Sequence, residues 1–452
     1  MPISVRTNAE WEQFGRDHTC RGLGRLYDEV VVKGRGLTLT TADGKEYLDF
    51  TAGIGVTNLG HSHPAVTAAA QEQVGNIVHM QCSIFQNPSY LQLIDRLLPV
   101  LPDKSLDAIY FWNSGTEAVE AAIKLARAST GRHAIVTFQG AYHGRTAGSA
   151  SLTRSKPVYS KKTGPHMPGV FVAPYPYWHS LGLPPSTPED VLVDAAIHQL
   201  DLVFRQQVAP LDVGAIFIEP VQGEGGYVPC PPRFLHHLRS LCDQHGILLV
   251  LDEVQTGFYR TGSYFAISDL GLRPDIMTFA KGVANGFPLS GIASSKALMD
   301  KFEPGTMGGT YAGNPVACAA GVAVQDVLAT GEVKANVDAR SEQIFTALRA
   351  LQASPKTGHL IADVRGKGLM VAVEFRSNTD KLTHEGLAPG TALPQKIGSR
   401  VQNKCKEKGV IILTTSCFDT IRFIPALIVT EEEMSRAMKV FGEALNEVAL
   451  EG

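Results

Sequence analysis

The sequence lacks the features that would direct it to a membrane, to nucleic acid or to the secretory route. No apolar run in its 452 residues approaches membrane-spanning length, and residues 1–12 contain no apolar core of a secretory signal. Lysine and arginine are scattered along a chain of formal net charge −3, so no basic block indicates nucleic-acid binding. We therefore expect neither a membrane nor a nucleic acid as partner.

Cysteine is scarce as well. The seven cysteines are odd in number, widely separated and without a C-x-x-C pair, which argues against a disulfide framework. A reducing compartment suits this pattern best. We therefore expect a cytoplasmic location, with a mitochondrial one left open.

Internal repeats and low-complexity tracts are also absent, and the glycines do not form a dinucleotide fingerprint. Neither Gly34-Arg35-Gly36 nor Gly366-Lys367-Gly368 completes the G-x-G-x-x-G pattern, which argues against a nicotinamide dehydrogenase. With 44% apolar and 19% charged residues, the composition is that of a globular protein able to bury a sizeable core.

Short apolar runs rich in β-formers alternate with helical stretches through the first two thirds of the chain. This alternation predicts an α/β fold with a mainly parallel sheet. The segment from about residue 117 to 128 is predicted as one of the helices, with Val119, Ala122, Ile123 and Ala126 on one face. The predicted strands are residues 108–112, 134–138, 170–173, 214–218, 247–251, 276–279 and 290–293.

Beyond about residue 325 the pattern changes to a long amphipathic helix followed by a strand at 369–375. We predict a large domain over 56–325 and a smaller α+β domain over 326–452. The N-terminal segment, 1–55, contains a hairpin turn at Asp43-Gly44 and is expected to pack with the small domain.

A lysine, Lys281, ends an otherwise apolar strand and is followed by Gly282. Taken alone, a lysine whose charged end reaches solvent from a strand edge is an equally good interpretation. In a desolvated setting, however, a lysine loses its charge readily and becomes a nucleophile suited to Schiff-base chemistry.

Two carboxylates, Asp252 and Glu253, follow another buried strand at its carboxyl end, where ligands of open α/β sheets bind. Helix capping is the alternative for either acid. Pyridoxal 5'-phosphate (PLP) needs one carboxylate against its pyridine nitrogen, because the protonated ring is the electron sink. Asp252 is our candidate for that role.

A phosphate site is indicated where Asn113-Ser114-Gly115-Thr116-Glu117 runs from a strand into a helix. The start of a helix offers free backbone N–H groups and a positive dipole end to an anion. An ordinary helix cap explains Ser114 and Thr116 equally well.

Together these segments resemble the class III aminotransferases, PLP-dependent enzymes of fold type I. The resemblance runs in register from Tyr47-Leu48-Asp49-Phe50 to Ile421-Arg422-Phe423. It implies a large domain built on a seven-stranded sheet and a smaller α+β domain. The motifs that carry it are 113–124 (NSGTEAVEAAIK), 140–146 (GAYHGRT), 219–226 (EPVQGEGG), 252–257 (DEVQTG), 280–282 (AKG) and 309–315 (GTYAGNP).

By this resemblance, Lys281 binds PLP covalently, Asp252 pairs with the pyridine nitrogen, Tyr142 stacks on the ring and Gln255 bonds near the 3'-oxygen. Thr310 would reach the phosphate from a second subunit, which makes a homodimer the expected assembly. Lys281 and Asp252 are the implied catalytic residues. The implied cofactor site comprises Ser114, Gly115, Thr116, Tyr142, His143, Asp252, Gln255, Lys281 and Thr310.

Two arginines are candidates for binding substrate carboxylates, because the guanidinium group matches a carboxylate well. Arg422 lies in an apolar context and needs a partner, which the resemblance supplies as Glu224. In the family this glutamate neutralises the arginine for amine substrates and releases it for a 2-oxo acid. Arg145 would bind the distal carboxylate of the donor. The implied substrate residues are Ile54, Gln81, Arg145, Glu219, Glu224 and Arg422.

The resemblance implies a ping-pong transaminase that takes an amino group from 4-aminobutyrate and gives it to 2-oxoglutarate. Acetylornithine, ornithine, lysine and other ω-amines are alternative donors, and Gln81 and Ser83 depart from the 4-aminobutyrate enzymes near the expected substrate entrance. Aminomutase and decarboxylase chemistry on the same cofactor, and a non-catalytic PLP-binding module, are further alternatives.

Histidines in the matched motifs could be mistaken for metal ligands. No further ligand at metal-binding spacing accompanies His61, His63 or His143 in the sequence. We therefore expect no metal site. The segment from Pro174 to Pro188 is loop-like, and its sequence does not disclose a role.

Overall fold

The computed structural model describes residues 6–388, 390–414 and 417–451. Its strands are β1 (Val31–Arg35), β2 (Thr38–Thr41), β3 (Glu46–Asp49), β4 (Ala108–Trp112), β5 (Ala134–Phe138), β6 (Val170–Ala173), β7 (Val213–Ile218), β8 (Val221–Gln222), β9 (Val228–Pro229), β10 (Leu248–Asp252), β11 (Ile276–Phe279), β12 (Ser290–Ser294), β13 (Ile361–Lys367), β14 (Met370–Phe375), β15 (Val410–Ile411), β16 (Leu413–Thr414) and β17 (Thr420–Phe423).

Helices flank these strands along the whole chain. They are α1 (Asn8–His18), α2 (Ala52–Gly55), α3 (Pro64–Asn76), α4 (Pro88–Leu97), α5 (Gly115–Thr130), α6 (Ala147–Leu152), α7 (Trp178–Leu181), α8 (Glu189–Gln206), α9 (Pro232–His245), α10 (Lys296–Met299), α11 (Pro315–Leu328), α12 (Glu332–Ala353), α13 (Ile397–Glu407) and α14 (Glu431–Leu450). Among the described residues no single helix is long and apolar enough to cross a membrane, although the bent pair α11 and α12 meets that length and composition together.

A seven-stranded sheet in the order β4-β12-β11-β10-β7-β5-β6 forms the centre of the fold. Strand β10 is parallel to β7 and β11, and β5 is parallel to β6 and β7. Only β12 runs against its neighbours β11 and β4. The seven predicted strands and the mainly parallel sheet are therefore confirmed. Strands β5, β7, β11 and β12 are buried throughout, as expected for a sheet covered by helices on both faces.

Helix α5 shows why the sequence folds locally as predicted. Ser114 is its N-cap and accepts a hydrogen bond from the Glu117 N–H, while Gly131 ends the helix in the left-handed region with φ 68°. The predicted apolar face is buried and packs against β11 and β12. The helix therefore points its N-terminus at the end of β4, where the first predicted site residues lie.

Three smaller sheets lie outside the central one in the described part of the chain: the smallest pairs β8 with β9, and the other two have four strands each. The sheet β13-β14-β17-β16 belongs to the C-terminal part of the chain. In the other four-stranded sheet the predicted N-terminal hairpin pairs β2 with β3, and β15 from the C-terminal part adds to β3 in parallel. The expected association of the N-terminal segment with the C-terminal part is thus present as strand pairing, while the domain boundaries remain a prediction.

The segment from Pro174 to Pro188 joins the central sheet to the C-terminal one. The Tyr177 hydroxyl donates to Oε2 of Glu374 on β14 at 2.6 Å, and Nε2 of His179 lies 2.5 Å from Oε1 of the same carboxylate. Tyr177 and His179 are buried or nearly so, as is Glu374 itself, whose Oε2 also pairs with Nη1 of Arg365 at 2.6 Å. This segment therefore fixes the C-terminal part against the large sheet.

Backbone strain is concentrated in α2, a turn in which four successive residues have positive φ. Ile54 has φ 67°, a conformation that β-branched residues rarely adopt. Gly55 has φ 72°, and a Cβ at this position would come within 2.5 Å of Cδ1 of Ile424. Such strain concentrates at functional sites, and Gly55 lies beside Gln255 of the predicted cofactor site.

A fully buried arginine, Arg260, connects three distant parts of the chain. Its Nη1 donates to the carbonyls of Leu369 and Pro425 at 3.1 and 2.6 Å, and its Nη2 donates to Oδ1 of Asn58 at 2.9 Å. Burial lowers the pKa of Arg260 to about 10, so the guanidinium stays charged at neutral pH. No carboxylate in the described part of the chain forms an ion pair with Arg260, so neutral acceptors stabilise its charge.

We expect Arg260→Met to lower the free energy of unfolding by about 3 kcal/mol or more, because three buried acceptors lose their donor. The matched control is Arg233→Met, since Arg233 is half exposed and pairs with Asp194 at 2.7 Å. The control should change the unfolding free energy by less than about 1 kcal/mol. Urea unfolding of the holoenzyme measures both values, and equal shifts in the two variants would contradict the role given to Arg260.

Candidate active site

A cavity of about 460 Å³ opens at the carboxyl edge of the central sheet. Its lining comes from the segments that follow five strands: β4, β5, β7, β10 and β11. The predicted residues that line it are Ser114, Gly115, Thr116, Tyr142, His143, Arg145, Glu219, Asp252, Gln255 and Lys281. Parallel strands thus bring residues from positions 114 to 281 to one place.

Asp252 is buried at the floor of the cavity and is held by three hydrogen bonds. Its Oδ1 accepts from the Thr278 hydroxyl at 3.0 Å and from the Val254 N–H at 3.1 Å. Its Oδ2 lies 2.7 Å from Nδ1 of His143. Since a carboxylate only accepts, Nδ1 of His143 carries the proton in this contact. The arrangement keeps a negative charge fixed in the cavity.

His143 is buried with Asp252. Burial acts against the charged imidazole, but the hydrogen bond and the negative charge of Asp252 prevail and raise the pKa of His143. No metal-binding group of three or more His, Cys, Asp or Glu side chains occurs among the described residues. His61, another histidine in a matched motif, lies with its Nε2 2.9 Å from Oδ2 of Asp49.

Lys281 follows β11 and has φ 46°, so its backbone is in the left-handed region. Its side chain is partly open to the cavity, yet desolvation lowers the pKa of Lys281 to about 8. The carboxylates of Glu224, Asp252 and Glu219 oppose this effect. A substantial fraction of the amine is therefore uncharged in the physiological range, as a nucleophile or base requires.

An anion cradle lies where β4 leads into α5. The first N–H groups of this helix, at Gly115 and Thr116, have no intrahelical partner. A Cβ at position 115 would lie only 2.9 Å from Cγ1 of Val254, so glycine keeps this approach open. The Thr116 hydroxyl lies 2.9 Å from that of Thr146 and 2.6 Å from that of Ser149. These donors suit a phosphate group.

Glu219 and Gln255 both line the cavity, and Gln255 lies beside Gly223 of the 219–226 turn. Glu219 accepts from the Tyr142 N–H at 2.9 Å and from the Gly223 N–H at 2.8 Å, and desolvation raises the pKa of Glu219 to about 7. The buried Oε1 of Gln255 has no hydrogen-bond partner among the described residues. Its amide therefore retains bonding capacity toward the cavity.

The two arginines differ in their partners. Nη1 of Arg422, which is buried, lies 2.7 Å from Oε1 of Glu224, so the predicted partner is in place. Arg145 is exposed at the cavity, and no carboxylate in residues 6–388, 390–414 and 417–451 forms an ion pair with it. One guanidinium is therefore neutralised and the other is free to meet a substrate carboxylate.

Five predicted residues do not line this cavity in the described part of one chain: Ile54, Gln81, Glu224, Thr310 and Arg422. Ile54 is 47% exposed, Thr310 is exposed, and Gln81 accepts a hydrogen bond from the Ser83 N–H. Their assigned roles remain predictions.

Sequence reasoning did not identify three side chains that act on the site. Thr278 donates a hydrogen bond to Asp252 from the neighbouring strand. Its position as a polar residue inside an apolar strand could have indicated such a contact. Tyr159 and Lys156 both approach Glu224, at 3.0 and 3.9 Å. Nothing in the sequence around them indicates this contact.

PLP, the cofactor implied by the sequence resemblance, fits these residues. The cavity volume is within the range of cofactor pockets. Lys281 supplies an amine of lowered pKa, Asp252 a fixed negative charge, and the cradle at Gly115 and Thr116 free donors for a phosphate. The amide oxygen of Gln255, which has no partner among the described residues, can accept a hydrogen bond from a group bound in the cavity.

Comparison with known proteins gives the same assignment. The family model "Aminotransferase class-III" matches residues 24–445. The chain is 39% identical over 430 residues to 5-aminovalerate aminotransferase DavT of Pseudomonas aeruginosa, covering 95% of this chain and 96% of that protein. It is 34% identical over 448 residues to 4-aminobutyrate aminotransferase GabT of Escherichia coli, covering 98% and 99% of the two chains.

A solved structure is similar over the same length. The (S)-enantioselective omega-transaminase of Thermomicrobium roseum matches with a TM-score of 0.86 and 31% identity, covering 99% of this chain and all of the other. Fold, site geometry and sequence similarity therefore agree. The chain belongs to the class III aminotransferases, which depend on PLP.

Proposed function

We propose that this aminotransferase takes the amino group of an ω-amino acid, with 4-aminobutyrate as the first choice and 5-aminovalerate as the second, and transfers it to 2-oxoglutarate. One observation carries the proposal: Arg422, whose charge reaches Lys281 of the cavity, is neutralised by Glu224 at 2.7 Å, while Arg145, which lines the cavity, has no carboxylate partner in the described residues. The names of the two relatives support the same class of donor.

The charges of the two substrates suit this arrangement. An ω-amino acid carries its carboxylate far from the reacting amine, so it needs a cation at the distal position and none beside the reacting carbon. Arg145 offers the distal cation. The pairing of Arg422 with Glu224 neutralises the cation that would otherwise face the reacting carbon. A 2-oxo acid carries a carboxylate next to its reacting carbon, and this group can replace Glu224 on Arg422.

When bound, PLP supplies an aldehyde that links to amines and a protonated ring that withdraws electrons from the bond being broken. Asp252 would hold its negative charge against the ring nitrogen and so favour the protonated ring. Lys281 in its uncharged form removes a proton from the substrate carbon and returns it to a neighbouring atom. His143 supports Asp252 at 2.7 Å. Gly115 and Thr116 would hold the phosphate through their N–H groups.

A homodimer is part of the proposal, because the predicted role of Thr310 requires a second subunit. Thr310 and its neighbour Tyr311 are exposed, and Tyr311 is 65% accessible. An apolar groove of about 470 Å³ runs beside Tyr311, Val74 and Val78, and shares Phe287 with the lining of the main cavity. Such a groove supports an interface that borders the active site. The cytoplasmic location stays a prediction from the sequence.

The decisive test uses the purified holoenzyme with 2-oxoglutarate and a panel of donors. We expect glutamate to form from 4-aminobutyrate and 5-aminovalerate with a kcat/KM at least about tenfold above that for acetylornithine or a simple amine. Without 2-oxoglutarate, either ω-amino acid should change the visible spectrum of the bound cofactor. A preference for acetylornithine, ornithine or lysine would favour those alternatives. Release of carbon dioxide, or amino transfer within one molecule, would contradict a transaminase.

Arg145→Ala tests the binding of the distal carboxylate. We expect kcat/KM for 4-aminobutyrate to fall by roughly 30-fold or more, because a charged hydrogen-bonding partner is lost, while activity on a simple amine stays within about threefold. Arg154→Ala is the control, since Arg154 donates to the Thr153 carbonyl at 2.8 Å and does not line the cavity. Equal losses on both substrates would indicate that Arg145 is structural.

The lowered pKa of Lys281 predicts how fast the protein without cofactor takes up PLP at different pH. Only the uncharged amine attacks the aldehyde, so the rate should rise through about pH 8, where half of the Lys281 amine is uncharged. A lysine with an ordinary pKa would show this rise about two pH units higher. Absorbance stopped-flow follows the uptake, and Lys281→Ala should abolish the covalent step.

A rise that begins only above about pH 9.5 would contradict a desolvated Lys281. Covalent uptake that persists in Lys281→Ala would show that another lysine binds the cofactor.

A further inference from the structure

Tyr159 contacts both carboxylate-binding elements of the site, although no motif singles it out. Its hydroxyl donates to Oε2 of Glu224 at 3.0 Å. Its ring lies under the Arg145 guanidinium, with Cζ 4.5 Å from the ring centroid. The ring also packs edge-on against Tyr142, at 5.2 Å between centroids and 72° between planes. One side chain therefore touches both the partner of Arg422 and the guanidinium of Arg145.

The two oxygens of Glu224 are divided between different partners. Oε1 meets Arg422 at 2.7 Å, while Oε2 accepts from Tyr159 and lies 3.9 Å from Nζ of Lys156. A carboxylate that takes the place of Glu224 on Nη1 of Arg422 also breaks the bond from the Tyr159 hydroxyl, because Glu224 must then move away. The free-energy difference between paired and released Glu224 therefore contains a contribution from Tyr159.

The Tyr159 hydroxyl remains a donor under all ordinary conditions. Burial, followed by the negative charge of Glu224, raises the pKa of Tyr159 to about 12. The contact with Glu224 therefore does not change with protonation of the phenol between neutral pH and about pH 10.

The ring of Tyr159 has a separate effect on Arg145. A guanidinium over an aromatic face is attracted by the ring electrons, and the contact restricts a long side chain that is otherwise exposed. Holding this side chain in one place reduces the entropy lost when it binds a carboxylate.

We infer that Tyr159 is a positioning residue that sets the choice between the two substrates: its hydroxyl holds Glu224 on Arg422, and its ring holds Arg145 for the distal carboxylate. This inference rests on the proposed function. Through the hydroxyl the enzyme disfavours an α-carboxylate until a 2-oxo acid displaces Glu224. Through the ring it favours ω-amino acids. The two effects belong to different atoms and can be separated by substitution.

The test measures each half-reaction of the full-length holoenzyme separately, with 4-aminobutyrate on the PLP-loaded protein and 2-oxoglutarate on protein loaded with pyridoxamine phosphate. Tyr159→Phe keeps the ring and removes the hydroxyl. We expect the apparent dissociation constant for 2-oxoglutarate to fall roughly three- to tenfold, and that for 4-aminobutyrate to stay within about twofold. Tyr159→Leu removes the ring as well, and should also weaken 4-aminobutyrate binding roughly two- to fivefold.

Two further variants make the result specific. In a Glu224→Ala background the effect of Tyr159→Phe on 2-oxoglutarate should disappear, because the hydroxyl acts through Glu224. Tyr264→Phe is the matched control, since its hydroxyl donates to Gln325 on α11 away from the cavity. It should leave both constants unchanged.

An unchanged or weaker affinity of Tyr159→Phe for 2-oxoglutarate would overturn the inference, as would an effect of equal size in the Glu224→Ala background. Failure of the proposed function gives a different result. If the wild-type enzyme did not react with ω-amino acids but did react with 2-oxoglutarate, the donor would be wrong. The role of the hydroxyl would still be decided by the 2-oxoglutarate half-reaction.

Discussion

The buried carboxylate of Asp252 is the constraint on which the rest of this structure depends. An ionised group away from water is stable only when donors surround it, and its three donors come from three segments: His143 after β5, Val254 after β10, and Thr278 on β11. Thr278 is the register partner of Asp252 across the parallel β10–β11 pair. The strand order of the central sheet therefore also brings together the donors that stabilise the carboxylate of Asp252.

The same arrangement of strands determines the surroundings of Lys281. Lys281 lies three residues beyond Thr278, just after the end of β11, so the register that satisfies Asp252 also brings the lysine amine into the cavity. Desolvation lowers the pKa of Lys281 to about 8, and the nearby carboxylates limit the fall while Arg422 adds to it. The neutralisation of Arg422 by Glu224 thus affects the lysine as well as the choice of substrate.

The central sheet could be predicted because buried parallel strands appear in the sequence as continuous apolar runs. The site could be predicted because polar and charged side chains follow those runs at one edge of the sheet. The sequence did not reveal that β12 runs against its neighbours, since an apolar strand carries no mark of direction. The contacts of Arg260 were not predictable either, because their acceptors include backbone carbonyls of Leu369 and Pro425, far away in sequence. Tyr159 lies on a short 3-10 helix, Pro157–Tyr159, whose position against Glu224 depends on tertiary packing.

The central claim is that this cavity holds PLP on Lys281, and a chemical trap tests it most directly. The holoenzyme is reduced with borohydride, which makes the bond between cofactor and lysine permanent, and is then digested for peptide mass spectrometry. Our account predicts the added pyridoxyl mass on the peptide that contains Lys281. The same mass on a peptide containing Lys156, or on no lysine of the protein, would contradict it.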